Sequence, residues 1–279
     1  MAKMSRAALE SALRARKLDR TLTTALPPLE RTDASALTPT DIGRLDEALR
    51  GGLPRGQLSE IIGPPSSGRT TVLLSLFAAT VRRGEIAALI DTFDRLDVAS
   101  AAAAQVDLTR LLWVRGQAIA RVQGSGPRAE VLSLRPEASS IERAIDRALK
   151  ALNLVLQAGG FGVVALDLAD VPVTALQQIP FTTWLRVQRA IEGSDTACVL
   201  VAPQPLGRSA GGVTLALGPS TSLRTGLSTA LKAGTCGAHW LGESDRSRRF
   251  AGLEIAGRVI SPRRRVDGEV GFAASAISL

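Results

Sequence analysis

Short apolar runs without alternating polar positions recur along the chain from residue 58 onward. Uninterrupted apolar runs are typical of strands that are covered on both faces, as in a parallel sheet. The runs of this kind are Leu58–Ile62, Ile86–Asp91, Leu112–Val114, Val163–Leu168 and Cys198–Ala202. Each of them predicts a buried strand.

Helical periodicity separates these runs. Ile141–Gln157 and Thr183–Glu192 both place apolar residues at spacings of three and four, which puts them on one face of a helix. A further helix is predicted over Thr70–Val81. Strands that alternate with helices predict an α/β fold, with a mostly parallel central sheet flanked by helices on both sides.

Three stretches depart from this alternation. Gly116–Arg135 contains the letters QGSGPR and predicts an inserted loop, and the Gly-, Ser- and Thr-rich segment Pro203–Gly237 predicts a long loop with at most one short helix. Residues 1–35 predict a short basic helix followed by a linker with two prolines. The expected organisation is therefore an N-terminal helix and linker over 1–35 and a core domain over 36–279.

Composition narrows the class of protein. The 279 residues are 45% hydrophobic, which supplies a sizeable core, and two cysteines and one histidine exclude a disulfide framework and most zinc chemistry. No apolar run approaches the ~20 residues that span a bilayer, and the charged N-terminus does not resemble a secretory signal. These features predict a soluble cytoplasmic protein with no membrane partner.

The charge balance is basic, with 34 Lys and Arg against 26 Asp and Glu and a net charge of +8. Almost all the basic residues are arginines, and seven of them make the last third of the chain locally basic, at Arg246, Arg248, Arg249, Arg258 and Arg263–Arg265. Arginine pairs well with phosphate, and a clustered surplus points to nucleic acid. It is also the usual basic residue of GC-rich genomes, and both interpretations stay open.

The strongest local motif is the octapeptide GPPSSGRT at Gly63–Thr70. It follows a predicted strand and opens a predicted helix, which is the strand–loop–helix context of a Walker A phosphate loop. The residues expected to surround the phosphates are Gly63, Pro64, Pro65, Ser66, Ser67, Gly68, Arg69, Thr70 and Thr71. The departure from the motif is Arg69, where a lysine is expected.

Several segments resemble the bacterial recombinase RecA. They are GGLPRGQLSEIIGPPSSGRTT, IAALIDTFDRLDVASAAAAQVDLTRLLWV, GVVALDLAD and CVLVAPQ, which lie within residues 40–115 and 160–205. Within the RecA superfamily, the GPP loop and the segment TTWLRVQRAIEGSDTACVLVAP resemble ImuA, the RecA-like accessory family of the bacterial translesion-synthesis mutasome. The resemblance implies a RecA-like P-loop core. Because the chain ends at Leu279, no RecA-type C-terminal domain is expected.

The resemblance also implies roles for single residues. Phe93 occupies the place of the glutamate that activates water, and Asp97 the place of an adenine-contacting carboxylate. Thr70 and Asp167 stand at the Mg²⁺ positions, as a vestigial pair, and Gln204 stands at the γ-phosphate sensor position. Ser100 replaces a tyrosine that stacks on adenine. We therefore expect weak binding of ATP and Mg²⁺ and little hydrolysis, and rescue of the missing base by Asp94 is disfavoured.

By the same resemblance, the segment after Gln204 corresponds to a loop that lines single-stranded DNA. Its basic residues Arg208, Arg224 and Lys232 are the expected DNA contacts, and an ordinary surface loop is an equally open alternative.

Three functions are compatible with these residues. The first is a non-hydrolysing adaptor in DNA repair by error-prone translesion synthesis (SOS mutagenesis), which links RecA, an ImuB-like polymerase component and DNA. The second is an active DNA-dependent ATPase of the recombinase type, and the third is a switch that binds nucleotide and barely hydrolyses it. The changes at Arg69 and Phe93 favour the first.

Overall fold

The computed structural model describes six stretches of the chain, at residues 36–117, 138–207, 212–218, 237–241, 249–261 and 266–275. The predicted N-terminal helix and the predicted DNA contacts Arg208, Arg224 and Lys232 lie outside the described residues. The cluster Arg263–Arg265 and Cys236 lie outside them too. The predictions made for these residues therefore stay predictions.

The described helices are α1 (Gly43–Ala48), α2 (Arg69–Arg82), α3 (Val98–Ala103), α4 (Ala138–Ala158), α5 (Val173–Gln177) and α6 (Phe181–Ile191). The described strands are β1 (Leu37–Thr38), β2 (Leu53–Pro54), β3 (Leu58–Ile62), β4 (Ile86–Asp91), β5 (Leu111–Arg115), β6 (Phe161–Asp167), β7 (Ala197–Ala202), β8 (Thr214–Leu217), β9 (Gly237–Leu241), β10 (Arg249–Ser261) and β11 (Val266–Ser275).

One large sheet organises the core, with the strand order β11-β10-β8-β3-β7-β6-β4-β5 and β9 paired to β10. The strands from β5 across to β8 pair in parallel. Strands β8, β9 and β11 pair with β10 in the antiparallel sense. The predicted α/β fold with a mostly parallel central sheet and flanking helices is therefore confirmed.

Helices cover both faces of the parallel strands. Helix α2 buries Val72, Leu76 and Phe77 in one cluster, and helices α4 and α6 bury residues such as Leu152 and Trp184 in a second cluster on the other face. Strands β3 and β7 are buried along their whole length because they lie between these two layers. That double cover explains why their sequences lack polar alternation.

A strand replaces part of the predicted long loop over Pro203–Gly237. Strand β8 pairs in parallel with β3 and antiparallel with β10, and Leu215 and Leu217 point into the core. The alternation of buried and half-buried side chains in β8 covers only four residues, so the surrounding glycines, serines and threonines obscure it in the sequence. Strand β8 is the element that joins the parallel strands to the antiparallel ones.

Across the described residues, no helix combines the length and the apolar character needed to cross a bilayer.

Candidate phosphate-binding site

The phosphate loop lies at the carboxyl end of β3, near the middle of the sheet. It runs from Gly63 to Gly68, and α2 begins at Arg69. Gly68 has φ of +91°, a left-handed conformation that favours glycine. A Cβ at Gly68 would also lie 2.4 Å from Cδ1 of Ile255 in β10. Backbone conformation and close packing therefore both require glycine at the start of α2.

A buried serine faces the inside of this loop. Ser67 is 2% exposed, and a Cβ on Gly63 would lie only 2.6 Å from the Ser67 hydroxyl oxygen. Within the described residues that hydroxyl has no hydrogen-bond partner. A buried hydroxyl without a partner is costly, so the loop holds a donor that an oxyanion would satisfy.

Arg69 holds a second buried donor at the same place. The residue is 7% exposed, and its Nη1 makes no hydrogen bond to any residue that the structure describes. Burial lowers the pKa of the guanidinium, and attraction to Asp167 and then to Asp170 opposes that shift. Thr70 and Thr71, by contrast, are exposed. The cation of the loop is thus buried and is attracted by two nearby carboxylates.

Asp167 ends β6 at the carboxyl edge of the sheet, beside Asp91 of β4 in the strand register. Its Oδ1 accepts a hydrogen bond from the backbone N–H of Ala169 at 2.8 Å. Desolvation raises the pKa of Asp167 to about 6, with further contributions from Asp91 and Asp170, while the Ala169 N–H and Arg69 act in the opposite direction. The carboxylate therefore ionises less readily than an ordinary aspartate.

These residues fit a divalent metal poorly. A Mg²⁺ ion prefers several ionised oxygen ligands, and the carboxylate predicted for it, Asp167, already has the positive charge of Arg69 nearby. In the described part of the chain, no group of three or more His, Cys, Asp or Glu side chains is suited to hold a metal ion. The Mg²⁺ roles of Thr70 and Asp167 stay predictions.

Phe93, which the resemblance assigns to the position of a water-activating glutamate, is a buried residue of the core. It is 5% exposed and belongs to the hydrophobic cluster that includes Ala144, Ala148 and Leu152 of α4. Its ring therefore serves the core beneath α4 and offers no proton acceptor.

The neighbouring carboxylate is also engaged. Asp94 accepts two hydrogen bonds from the guanidinium of Arg115, at 2.8 Å from Nε and 2.6 Å from Nη2. The guanidinium of Arg115 stacks over the ring of Trp113, 4.6 Å from its centroid. Hydrogen bonding to Arg115 holds the pKa of Asp94 below its usual range, which makes Asp94 a weak base.

Comparison with known proteins finds similarity to RecA proteins over a segment that includes the loop. Residues 24–119, about a third of the chain, match the RecA N-terminal domain family. The chain is 48% identical over 84 residues to the RecA protein of Nostoc punctiforme, an overlap of 30% of this chain and 22% of that protein. The RecA protein of Trichodesmium erythraeum is 46% identical over 84 residues, with the same shares of the two chains.

The chain carries a RecA-like core. It spans about a fifth of the length of the curated relatives it matches, and the matched segment extends from before β1 to just past β5. The match thus includes the phosphate loop and Phe93.

Asp97 and Gln204 are two further residues for which the resemblance predicts a nucleotide contact. Asp97 precedes α3 and caps it, because its carboxylate accepts hydrogen bonds from the backbone N–H and the hydroxyl of Ser100. Gln204 is half-buried just after β7. The carboxylate of Asp97 is thus occupied by Ser100, and the roles of Asp97 and Gln204 toward a nucleotide stay predictions.

Glu60 in β3 is a residue of this region that was not predicted from the sequence. It is 2% exposed, and its Oε1 accepts the backbone N–H groups of Leu206 at 2.7 Å and Gly207 at 2.6 Å. Its Oε2 accepts the hydroxyl of Thr214 at 3.2 Å. One carboxylate thus ties residues 206 and 207, which follow β7, to the first residue of β8. The available signal was a single acidic residue inside an otherwise apolar strand.

Proposed function

We propose that this protein is a RecA-like accessory protein of error-prone translesion synthesis, which binds partners and does not hydrolyse ATP. The expected partners are RecA, an ImuB-like polymerase component and single-stranded DNA. The ImuA-like residues of the phosphate loop and of α6 support this specific role.

The observation that carries the proposal is the burial of Phe93. Phosphoryl transfer to water needs a residue that orients or deprotonates the attacking water. At the position that the resemblance assigns to this residue, the chain has the apolar ring of Phe93 in its core, and the adjacent Asp94 is held by Arg115. A RecA-like core without that residue has no hydrolytic cycle with which to change its state, so its role is set by its surfaces.

The first experiment measures ATP turnover with and without single-stranded DNA, beside a RecA protein as positive control. We expect turnover at background in both conditions. Replacing Arg69 by Lys should leave turnover at background, because the water-activating residue is still missing. Robust DNA-stimulated turnover by the unmodified chain would reject the proposal and favour the alternative, an active DNA-dependent ATPase.

Several features of the loop support the alternative function, an active ATPase. The loop retains its left-handed glycine at 68 and its position between β3 and α2, and the buried Ser67 hydroxyl and Arg69 Nη1 have no hydrogen-bond partner among the described residues. These features support anion binding. They do not supply a base, and the ATPase measurement separates the two functions.

The second experiment tests the partners. Full-length protein and a version lacking residues 1–35 are titrated against RecA, an ImuB-type protein and single-stranded DNA. The proposal expects saturable binding of at least one of the two proteins by the full chain. Failure to bind either protein, with the fold verified by circular dichroism, would contradict the adaptor role.

DNA binding is tested separately, because it rests on residues outside the described part of the chain. Replacing both Arg208 and Arg224 by Ala should weaken binding. It should also reduce the slope of log affinity against log salt by roughly one unit for each phosphate that the variant no longer neutralises. Unchanged binding would move the proposed DNA-binding surface elsewhere on the protein.

A further inference from the structure

The phosphate loop holds a buried positive charge that the described residues do not fully pair. Nη1 of Arg69 has no hydrogen-bond acceptor among the described residues, although the side chain is almost wholly buried. The hydroxyl of Ser67, two residues earlier, is in the same situation. Leaving such donors buried without acceptors is destabilising, so the site is suited to a ligand that brings acceptor oxygens.

The nearby carboxylates are already engaged with other groups. Asp167 receives the N–H of Ala169, and Asp170 pairs with Arg95 at 3.4 Å. They attract Arg69 electrostatically, but neither makes a hydrogen bond to its Nη1. The guanidinium is therefore attracted to Asp167, while its Nη1 has no acceptor in the described part of the chain.

We infer that this loop binds a phosphate-class oxyanion without a divalent metal, with Arg69 as the resident cation that both the anion and Asp167 share. The inference rests on the proposed non-hydrolysing function. In such a protein the loop holds a phosphate group that carries no metal ion, and Arg69 is the residue that selects this metal-free ligand.

Arginine suits this role better than lysine for a geometric reason. A guanidinium is planar and carries five N–H donors, so it can contact a phosphate on one edge and stay near a carboxylate on another. A lysine ammonium is a compact point charge. It would pair with the phosphate and leave the place beside the carboxylate to another cation. An arginine at 69 thus takes the place of two positive groups, the lysine of the usual motif and a second cation, and it is part of the chain itself.

The experiment is calorimetric titration of the full chain with ATP, once in EDTA and once with excess Mg²⁺. We expect affinities that agree within about threefold between the two conditions, a difference of less than about 1 kcal/mol. ATP binding that is more than about tenfold tighter with Mg²⁺, or no ATP binding in either condition, would overturn the inference.

Two variants sharpen the test. Asp167→Asn removes a negative charge, so it should strengthen ATP binding in EDTA if Arg69 is the counter-ion. If Asp167 instead held a metal, the same variant would weaken binding in Mg²⁺ and leave binding in EDTA unchanged. Arg69→Lys should make ATP binding stronger with Mg²⁺ than in EDTA, because the smaller head leaves Asp167 free. Equal affinities for Arg69→Lys in both conditions would count against the assigned role.

A folding check accompanies each variant, since Arg69 is buried. Thermal unfolding followed by circular dichroism confirms that the variants are folded, and Asp167→Asn provides a reading independent of any change at Arg69. The outcomes also separate the two proposals. Metal-dependent binding without turnover overturns this inference and leaves the accessory function standing, whereas metal-dependent turnover overturns both.

Discussion

At the scale of single residues, Phe93 is both a predicted position of the candidate site and a part of the hydrophobic core. Its ring lies in the cluster under α4, beside the sheet edge that carries Asp167. Replacing Phe93 by Glu should lower the free energy of unfolding by about 3 kcal/mol or more, because the carboxylate is buried among apolar side chains with no partner. Phe93→Leu, the control, should cost about 1 kcal/mol. Urea unfolding followed by circular dichroism measures both, and equal costs for Glu and Leu would show that position 93 is not a core position.

The second prediction concerns Cys198. Burial raises the pKa of its thiol to about 12, and the residue is fully buried in β7. Because the thiolate is the nucleophile, the raised pKa means that Cys198 stays neutral at pH 8 and unreactive in the folded protein. In a Cys236→Ser background, a thiol reagent at pH 8 should label the protein only after denaturant is added. Rapid labelling of the native protein would contradict the buried position of β7.

The residues of the loop were predictable from the sequence, and their surroundings were not. The motif around Gly63–Thr70 indicated that the loop exists, and the resemblance to RecA indicated that Arg69 and Phe93 depart from the usual pattern. Neither indicated that Phe93 packs under α4 or that Asp94 pairs with Arg115. Both arrangements depend on residues far along the chain, and local sequence patterns do not report such contacts.

At the scale of elements, the sequence predicted the buried strands and the long helices closely and missed the elements held by distant partners. Strands β3 and β4 have the predicted bounds, and α4 extends the predicted helix by a few residues. Strands with strong apolar runs carry their signal locally. Strand β8 does not, because its place is fixed by pairing with β3 and β10 and by Glu60, which binds Thr214.

The third prediction tests whether the Glu60 carboxylate anchors residues 206 and 207. Glu60→Ala leaves the N–H groups of Leu206 and Gly207 buried without acceptors, so it should destabilise the protein by about 3 kcal/mol. Glu60→Gln keeps one acceptor oxygen and should cost about 1 kcal/mol. Native-state hydrogen exchange should accelerate at the amides of 206 and 207 in the Ala variant and change little in the Gln variant. Unchanged protection in Glu60→Ala would exclude the carboxylate as the anchor of this segment.

At the scale of the whole molecule, the parallel and antiparallel parts of the sheet share one core. Ile255 and Val259 of β10 and Phe272 of β11 lie in the same hydrophobic cluster as Leu76 and Phe77 of α2. The pair β10–β11 thus packs toward the helix that carries the phosphate loop. Only the parallel part was predictable from the alternation of strands and helices, since the antiparallel strands carry glycines and arginines that weaken their apolar pattern.

The fourth prediction tests the contact between the start of α2 and β10. Gly68→Ala should destabilise the protein by at least about 2 kcal/mol, because alanine at φ of +91° is strained and its methyl group meets Ile255. Gly43→Ala is the matched control. Position 43 opens α1, and a Cβ there meets nothing within 4 Å, so this change should be neutral or stabilise by up to about 1 kcal/mol. Thermal unfolding compares them, and a neutral Gly68→Ala would contradict the close approach of β10.

The close approach of Ile255 to Gly68 also has a consequence for the order in which the protein forms. The two residues are far apart in sequence, and contacts of such long range form slowly because a large loop must close first. During synthesis the N-terminal part of a chain emerges first, so the phosphate loop leaves the ribosome well before the strand that covers it. A nascent chain stalled before β10 would carry the complete glycine motif without its cover. The contact between Ile255 and Gly68 is therefore a property of the finished chain, and it can form only after β10 has been synthesised.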